Sequence, residues 1–320
     1  MKWNKTYLRR RWLSIFIHAR KITIPMMGGV PLYDFIVFFL RGIIGGRLSV
    51  RASAIAFNLF VAMFPTIIFL FTLLPYIPIE GFREQMMSFM YQAMPHNAYY
   101  AIEGTINDVL TQQHGGLLSF GFIAALIFST SGIDAMISAF NTSLHTVESR
   151  TLLNQRLVAL FLVGLLTLFV TIAIACIVVG KYVYSWLITK GILEDNIFSF
   201  LLNMLRWIVG FGFLYCAYSC LYMFAPAKRA KWSSVSIGGA IAAVLTIFIS
   251  TGFTYYIDNF GRYNKLYGSI GAMLVVLMWL YLNSYSLIIG FEFNTSLKEA
   301  GSRLNRQSKR KKISLLSIFE

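Results

Sequence analysis

The chain has 320 residues, a length that by itself would suit one large or two small soluble domains. Its composition excludes that class of protein, because 57% of the residues are apolar and only 13% are charged. That charged share is about half of what soluble domains carry, and a soluble fold built from it would expose large apolar patches. The formal net charge of +15 would be consistent with binding to nucleic acid. Whether it indicates such a partner depends on where the charges lie along the chain.

Residues 1–50 form a basic N-terminal segment. Within it, residues 1–21 intersperse arginines with Trp12, Leu13 and other large apolar residues, which predicts a basic helix on the membrane surface. Residues 33–44 are strongly apolar, but a dozen residues cannot cross a hydrocarbon core of about 30 Å. This second stretch therefore predicts an interfacial or re-entrant helix.

Residues 51–297 contain apolar blocks long enough to cross a bilayer. The sequence predicts an all-α, polytopic membrane helix bundle with six transmembrane helices, at about 52–74, 117–140, 157–180, 197–224, 235–257 and 267–293. Between the first two spans, Ile102, Ile106, Val109 and Leu110 recur at helical spacing, which predicts an amphipathic outer segment that does not cross. Residues 298–320 are a basic tail whose composition favours disorder or surface binding.

The basic residues indicate the orientation of the six spans. Residues 1–51, the connection holding Arg150 and Arg156, the 225–232 turn and the tail together carry 22 of the 28 Lys and Arg residues. The opposite connections carry five, so the positive-inside rule predicts a multi-pass membrane protein with both termini in the cytoplasm.

The same distribution explains the net charge. The basic residues are spread over four short segments, which favours attraction to anionic lipid head groups and does not provide the continuous basic surface that nucleic acid requires. We therefore expect membrane lipids as partners and no nucleic acid. Cys176, Cys216 and Cys220 all lie inside apolar blocks, so no disulfide or zinc framework is expected.

Several blocks of the sequence resemble the YihY/BrkB family of bacterial inner-membrane proteins. The most specific is YGSIGAMLVVLMWLYLNSYSLIIGFEFN, residues 267–294, with its Tyr-Gly start, Trp-Leu-Tyr centre and Gly-x-Glu-x-Asn end. RASAIAFNLFVAMFP (51–65), FSTSGIDAMISAFN (128–141) and the turn at 226–232 support it, and the resemblance covers roughly residues 30–300. It implies an all-helical fold with six spans and brings no settled activity.

The family was once labelled a transfer-RNA-processing ribonuclease, and the residues of this chain do not favour that chemistry. Nuclease metal ions need clustered carboxylates or histidines, but the cytoplasmic acids Asp34, Glu148, Glu299 and Glu320 are scattered. No phosphate-binding glycine loop or nucleophile motif is present either. We therefore expect no catalytic residues, no metal site and no cofactor.

Three ionisable residues fall within predicted spans, where a charge costs about 2.5–3.5 kcal/mol on insertion scales. Arg206 is near enough to the outer surface for its side chain to extend to water. Glu292 lies near the inner end of the last span, where interfacial water or an arginine such as Arg51 or Arg156 would meet it. Asp134 follows a patch of small polar residues, Ser129, Thr130 and Ser131, which lipid cannot satisfy.

Two interpretations of this patch stay open: its hydroxyls join neighbouring helices, or they line a path for a substrate or ion. Asn283 adds an amide on another span, so the candidate path residues are Asp134, Ser129, Thr130, Ser131, Asn283, Arg206 and Glu292. The leading hypothesis is a non-enzymatic transporter or translocator of a lipid-like or amphipathic envelope substrate. The alternatives are a structural scaffold in envelope assembly and, third, a membrane-bound nuclease.

Overall fold

The computed structural model describes residues 31–45, 47–76, 104, 114–143, 148–189, 195–227, 236–259 and 263–316. The predicted surface helix over residues 1–21 and most of the predicted amphipathic outer segment lie outside these residues.

The described part of the chain is almost entirely helical, and its seven α-helices are labelled here in chain order. They are α1 (Leu32–Gly45), α2 (Leu48–Leu73), α3 (Gly115–Ser143), α4 (Leu152–Thr189), α5 (Asp195–Phe224), α6 (Ile237–Asn259) and α7 (Tyr263–Leu316). Helices α2 to α7 are each long and apolar enough to cross a membrane. The prediction of an all-α polytopic bundle with six such helices is confirmed.

The helices extend beyond the predicted spans, because a span records only the apolar part of a helix. Helix α4 covers 38 residues and α7 covers 54, whereas an apolar crossing needs about 20. Helix α7 continues through the boundary at 297–298 and through the basic tail as far as Leu316. The tail has no proline, and after Gly301 it has no glycine, so its lysines, arginines and leucines favour a helix that its low hydropathy did not predict.

The six long helices form a closed ring in chain order. Each packs against the next, α2 on α3 through to α6 on α7, and α7 returns to pack on α2. Helix α1 lies outside this ring against α7, where Phe35 and Phe39 contact Phe293. At 14 residues α1 is about 21 Å long, too short to cross the hydrocarbon core.

Packing differs between the two ends of the ring. We call the end that carries Arg51, Arg150 and Arg156 the basic end, and the opposite end the far end. The buried core lies toward the basic end and is centred on three rings: Phe140 stacks on Phe291 at 4.2 Å, and Tyr222 meets each of them edge-on. Such aromatic pairs contribute about 0.5–1.5 kcal/mol each beyond the area they bury.

Toward the far end, the same helices expose large apolar side chains, among them Ile67 on α2, Trp207 on α5 and Phe248 on α6. Among the side chains that the structure describes, no residue of the main core cluster lies in residues 64–73 of α2 or 250–257 of α6. The main buried core of the described residues therefore lies toward the basic end of the ring.

Candidate functional site

Glu292 of α7 lies in the packed half of the ring and is 3% exposed. Its Oε1 accepts hydrogen bonds from Nη2 of Arg51 at 2.7 Å and from the hydroxyl of Ser143 at 2.7 Å. Arg51 also donates to the carbonyl oxygen of Ala139 at 3.0 Å. Of the partners considered for Glu292, which were interfacial water or an arginine such as Arg51 or Arg156, the structure shows Arg51. The pair joins the start of α2, the end of α3 and α7.

Helix α1 covers the other side of this ion pair. A Cβ atom added to Gly42 would lie 2.5 Å from Oε2 of Glu292, so only glycine permits the observed approach. The Glu292 carboxylate is thus enclosed by α1, α2, α3 and α7. Removing one partner of such a pair would leave the other charge buried without compensation.

Asp134 of α3 is bound by two side chains of α4. Its Oδ2 lies 2.7 Å from Nη1 of Arg156, and its Oδ1 accepts a hydrogen bond from Gln155 at 3.1 Å. Arg156 also donates to the Thr130 hydroxyl at 3.3 Å. The Asp134 side chain is 19% exposed and that of Arg156 is 54% exposed, so solvent screens this pair more than it screens Arg51 and Glu292.

The small polar residues before Asp134 bond mainly to their own helix. Thr130 and Ser131 each donate to the carbonyl oxygen of Ile127, at 2.8 and 2.9 Å, and Ser129 is half-buried. Through Thr130 and Asp134, the patch joins α3 to α4. These contacts account for its polarity, and the role of the patch in a substrate path stays a prediction.

A third polar cluster connects two loops at the basic end. Arg150 donates to Oε1 of Glu148 at 2.7 Å and to the carbonyl oxygen of Ala225 at 2.7 Å, while Asn141 donates to Oε2 of Glu148 at 2.8 Å. The Arg150 guanidinium and the Asn141 amide lower the pKa of Glu148 to about 2. This cluster fixes the α3–α4 connection against the end of α5.

The other two predicted path residues lie elsewhere in the ring. Arg206 is exposed on α5, next to Trp207 and toward the far end. Asn283 donates to the carbonyl oxygen of Trp279 at 2.9 Å, while its Oδ1 is buried and has no hydrogen-bond partner among the described residues. Within the described part of the chain, no hydrogen bond or ion pair joins any two of Asp134, Asn283 and Arg206.

A groove of about 560 Å³ lies between α5 and α6, toward the far end of the ring. Its lining combines apolar and hydroxyl-bearing side chains, namely Trp207, Leu214, Thr246, Ile247, Ser250, Thr251, Thr254 and Tyr255. Ligand sites in proteins occupy roughly 300–1,000 Å³ and have this mixed character. We call this feature the α5–α6 groove.

The seam between α6 and α7, which includes Thr246 and Ser250 of the groove lining, changes along its length. At the basic end, Gly238 and Gly290 bring the two backbones together so closely that a Cβ at either position would overlap the other residue's carbonyl oxygen. Further along, Thr246 lies 2.6 Å from the Ser286 hydroxyl, and Ser250 then accepts a hydrogen bond from the Trp279 indole at 3.3 Å. From the basic end toward the far end, the side chains at the seam thus become larger: first glycines, then hydroxyl residues, then an indole.

Sequence reasoning missed these groove residues. Thr246, Ser250 and Thr254 recur at every fourth position, which places them on one face of α6. Hydroxyl residues are common inside membrane helices, where they bond back to the carbonyl four residues earlier, as Thr254 does to Ser250 at 3.0 Å. One sequence signal could have identified this face of α6: the four-residue spacing begins earlier in the helix, at Gly238 and Ala242.

Within the described residues, no group of three His, Cys, Asp or Glu side chains is placed to hold a metal ion.

Comparison with known proteins places this architecture in a widespread group. The sequence profile described as Virulence factor BrkB matches residues 39–314. The ribonuclease-like protein YfkH of Bacillus subtilis (strain 168) is 30% identical over 247 residues, which cover 77% of this chain and 89% of that protein.

Two further relatives are named as membrane proteins. The UPF0761 membrane protein of Aliivibrio fischeri (strain ATCC 700601 / ES114) is 26% identical over 83% of this chain and 84% of its own length. The UPF0761 membrane protein of Tolumonas auensis is 23% identical over 83% of this chain and 85% of its own length. No solved structure matches the chain at a significant level.

Proposed function

This chain belongs to the Virulence factor BrkB family, and on that premise we propose that it is a non-enzymatic membrane protein that binds and translocates a lipid-like or amphipathic substrate. The observation that carries the proposal is the difference between the two ends of the ring. The far half holds the α5–α6 groove, and the basic half is closed by packed rings and ion pairs.

A groove inside an apolar span suits an amphipathic ligand. Its lining offers apolar area through Trp207, Leu214 and Ile247 and hydrogen-bonding groups through the hydroxyls on α6. A water-soluble solute would leave the apolar part unused, and a pure hydrocarbon would leave the hydroxyls unused. A lipid-like molecule uses both.

Under this proposal the ion pairs at the basic end form the closed side of the path. Substrate that enters the groove can leave at the basic end only if contacts such as Asp134–Arg156 and Arg51–Glu292 separate. The residues predicted from sequence as path residues would then act in closure, and the substrate would contact residues of α5 and α6.

We further propose that the chain resides in the bacterial inner membrane with the basic end and both termini in the cytoplasm. The support is the excess of Lys and Arg in the segments that share this end. Anionic head groups of the cytoplasmic leaflet would then be the partners of the basic residues, at about 1 kcal/mol per charge near the surface.

A scaffold in envelope assembly is the second candidate, and the packed basic half favours it. Three polar clusters at that end join α2, α3, α4, α5 and α7 to one another. A scaffold needs no groove, so the effect of filling the α5–α6 groove discriminates between the two functions.

The test uses purified protein in liposomes that contain a lipid with a fluorescent acyl chain, with an impermeant reductant added outside to measure movement between leaflets. Phosphatidylglycerol, phosphatidylethanolamine and diacylglycerol are compared. We expect the protein to accelerate movement of at least one of them, and Ser250→Leu, which fills the groove, to reduce that rate about tenfold.

The matched control is Ser53→Leu on α2, which makes the same change on another long helix; the exposed Ser53 hydroxyl donates to the Ser49 carbonyl oxygen at 2.8 Å. It should retain the wild-type rate. If no lipid moves faster than in protein-free liposomes, or if Ser250→Leu moves lipid at the wild-type rate, translocation through this groove is wrong.

A further inference from the structure

We infer that the α5–α6 groove binds an uncharged lipid through the carbonyl oxygen of an acyl ester, the chemistry of a diacylglycerol, and that the hydroxyl of Ser250 donates the hydrogen bond. This inference deepens the proposed function and rests on it for the groove as the place where substrate binds. Ser250 is half-buried on α6 and is one of the residues that line the groove.

The groove lies within the apolar parts of two helices. Its lining residues fall in the spans Met204–Phe224 of α5 and Ile237–Ile257 of α6. Two of them are largely exposed, Trp207 at 55% and Tyr255 at 73%. Groups exposed on a membrane span meet lipid, so the molecules that reach the groove are those of the bilayer. The two rings offer a flat apolar surface to their hydrocarbon chains.

The lining excludes an ionised head group. None of the groove residues carries a carboxylate, ammonium or guanidinium group. Moving an isolated phosphate or carboxylate from water to such a site, without a charged partner, costs far more than moving an ester. The part of the lipid that enters the groove is therefore uncharged.

The hydrogen of the Ser250 hydroxyl is not used within the described part of the chain. Oγ of Ser250 accepts from the Trp279 indole at 3.3 Å, and this is the only hydrogen bond of that hydroxyl among the described residues. Hydroxyls in membrane helices commonly donate to the carbonyl oxygen four residues earlier, as those of Thr66 and Ser284 do. A donor left unpaired away from water is costly, and a ligand that accepts from it removes that cost.

The neighbouring hydroxyls make Ser250 the selective donor of the groove. Thr246 lies 2.6 Å from each of two other hydroxyls, and Thr254 donates to the carbonyl oxygen of Ser250 at 3.0 Å. Thr251 is exposed, and no contact within the described residues fixes the rotation of its hydroxyl. Only the Ser250 hydroxyl is both half-buried and held in place by a neighbouring helix while its hydrogen stays available.

The ligand therefore carries an acceptor at the depth of Ser250. This residue precedes Ile257, the end of the apolar α6 span, by seven residues, which is about 10 Å of helix. Among the uncharged groups of bilayer lipids, the carbonyl oxygen of an acyl ester is a strong acceptor that adjoins the hydrocarbon chains. An ester bound to Ser250 would lie inward of the membrane surface, as it must in the first step of translocation.

The test measures competition for the groove on purified protein in detergent. The probe is a diacylglycerol with a fluorescent acyl chain, whose anisotropy rises on binding. The competitors are an unlabelled diacylglycerol and the dialkylglycerol of equal chain length, in which ether linkages replace the esters. We expect the diester to bind with a dissociation constant about threefold to tenfold lower than the diether, the range expected for one net hydrogen bond. Ser250→Leu, which fills the groove, should abolish the competition.

The variant Ser250→Ala should bring the two dissociation constants together and leave that of the diether unchanged, which also shows that the groove is intact. Its matched control is Thr254→Val in the same groove, because the Thr254 hydroxyl is already bonded to its own helix. Thr254→Val should keep the preference for the diester. Ser250→Thr retains a hydroxyl at the same position and should keep it as well.

Equal binding of diester and diether by the wild-type protein would overturn the inference, as would a preference that survives Ser250→Ala or is lost in Thr254→Val. The outcome is separate from that of the liposome assay. Ester preference without lipid movement would contradict translocation and support the binding site, whereas lipid movement without ester preference would contradict only the site assigned here.

Discussion

Arg51 and Glu292, 241 residues apart in the chain, form a buried ion pair at 2.7 Å that closes the ring of helices at its basic end. The pair joins the first long helix to the last, and Ser143 brings the end of α3 into the same contact. Both terminal nitrogens of Arg51 are hydrogen-bonded at this site, to Glu292 and to the Ala139 carbonyl oxygen, whereas Nε of Arg51 has no partner among the described residues.

Replacing Glu292 by Ala should destabilise the protein strongly, by about 3–5 kcal/mol, because Arg51 would remain buried without a counter-charge. The double variant Arg51→Met/Glu292→Leu should recover most of that loss, because apolar residues of similar size require no pairing. The free energy of unfolding in mixed micelles, followed by circular dichroism, measures both. If the double variant is as unstable as Glu292→Ala, the pair is not the reason for the loss.

Gly290→Ala should destabilise the α6–α7 seam by about 1–3 kcal/mol. The added methyl group would overlap the Gly238 carbonyl oxygen, a backbone atom that cannot rotate away, and would press on the Tyr222 hydroxyl. The control is Gly252→Ala on α6, where nothing lies within 4 Å of the added Cβ. Because alanine favours helix over glycine by up to about 1 kcal/mol, Gly252→Ala should be neutral or stabilising. Equal effects of the two variants on the unfolding midpoint would contradict the close crossing.

Glu148 should make stability depend on pH. Its folded pKa, about 2, lies below its usual value of 4.5, so the ionised form is favoured in the fold. Its contribution is complete above pH 4.5 and is lost as the pH falls through about 2. The stability difference between wild type and Glu148→Gln, about 1 kcal/mol after allowance for solvent screening, should therefore be constant from pH 7 to 5 and shrink below pH 4.5.

The comparison for this titration is Arg150→Gln, which removes the group that lowers the pKa of Glu148 most. In that background, Glu148→Gln should have a much smaller effect on the unfolding midpoint at pH 6. An unchanged effect would show that Arg150 is not its partner in solution.

Cysteine labelling should establish the orientation. Starting from a variant without Cys176, Cys216 and Cys220, Gly116→Cys places a thiol at the exposed start of α3, and Ser149→Cys places one in the exposed α3–α4 connection. An impermeant maleimide should label Gly116→Cys in intact spheroplasts and Ser149→Cys only after lysis. The reverse pattern would mean that the basic end faces outward.

Much of this fold could be predicted from hydropathy, because each span must supply its own backbone hydrogen bonds and therefore appears as a long apolar helix. An arginine partner for Glu292 could also be considered from the sequence, because Arg51 and Arg156 lie at the same predicted depth. Which of them pairs with Glu292 depends on helix packing, and the structure shows Arg51. The partners of Asp134 could not be predicted, because Gln155 and Arg156 precede the predicted start of the third span. The true helix begins at Leu152 and brings both side chains to Asp134.

The α5–α6 groove could not be predicted, because it depends on how far two helices diverge. Thr246 and Ser250 give the same local signal as Thr171, which bonds back to its own helix on the exposed face of α4. Their contacts with Trp279 and Ser286 of α7 and their place in the groove lining distinguish Thr246 and Ser250 from such an exposed position.

The contact of Gly238 with Gly290 fixes the backbone of α6 near one end, and further along this helix side-chain hydrogen bonds at Thr246 and Ser250 join it to α7. From that contact to Tyr255 the helix rises about 26 Å, at 1.5 Å per residue. A rotation of only 5° about the glycines displaces Tyr255 by about 2 Å, whereas Ala242, one turn away, shifts by about 0.5 Å. The width of the α5–α6 groove beside Tyr255 therefore responds to rotations of α6 that are too small to disturb the packed rings around Phe140.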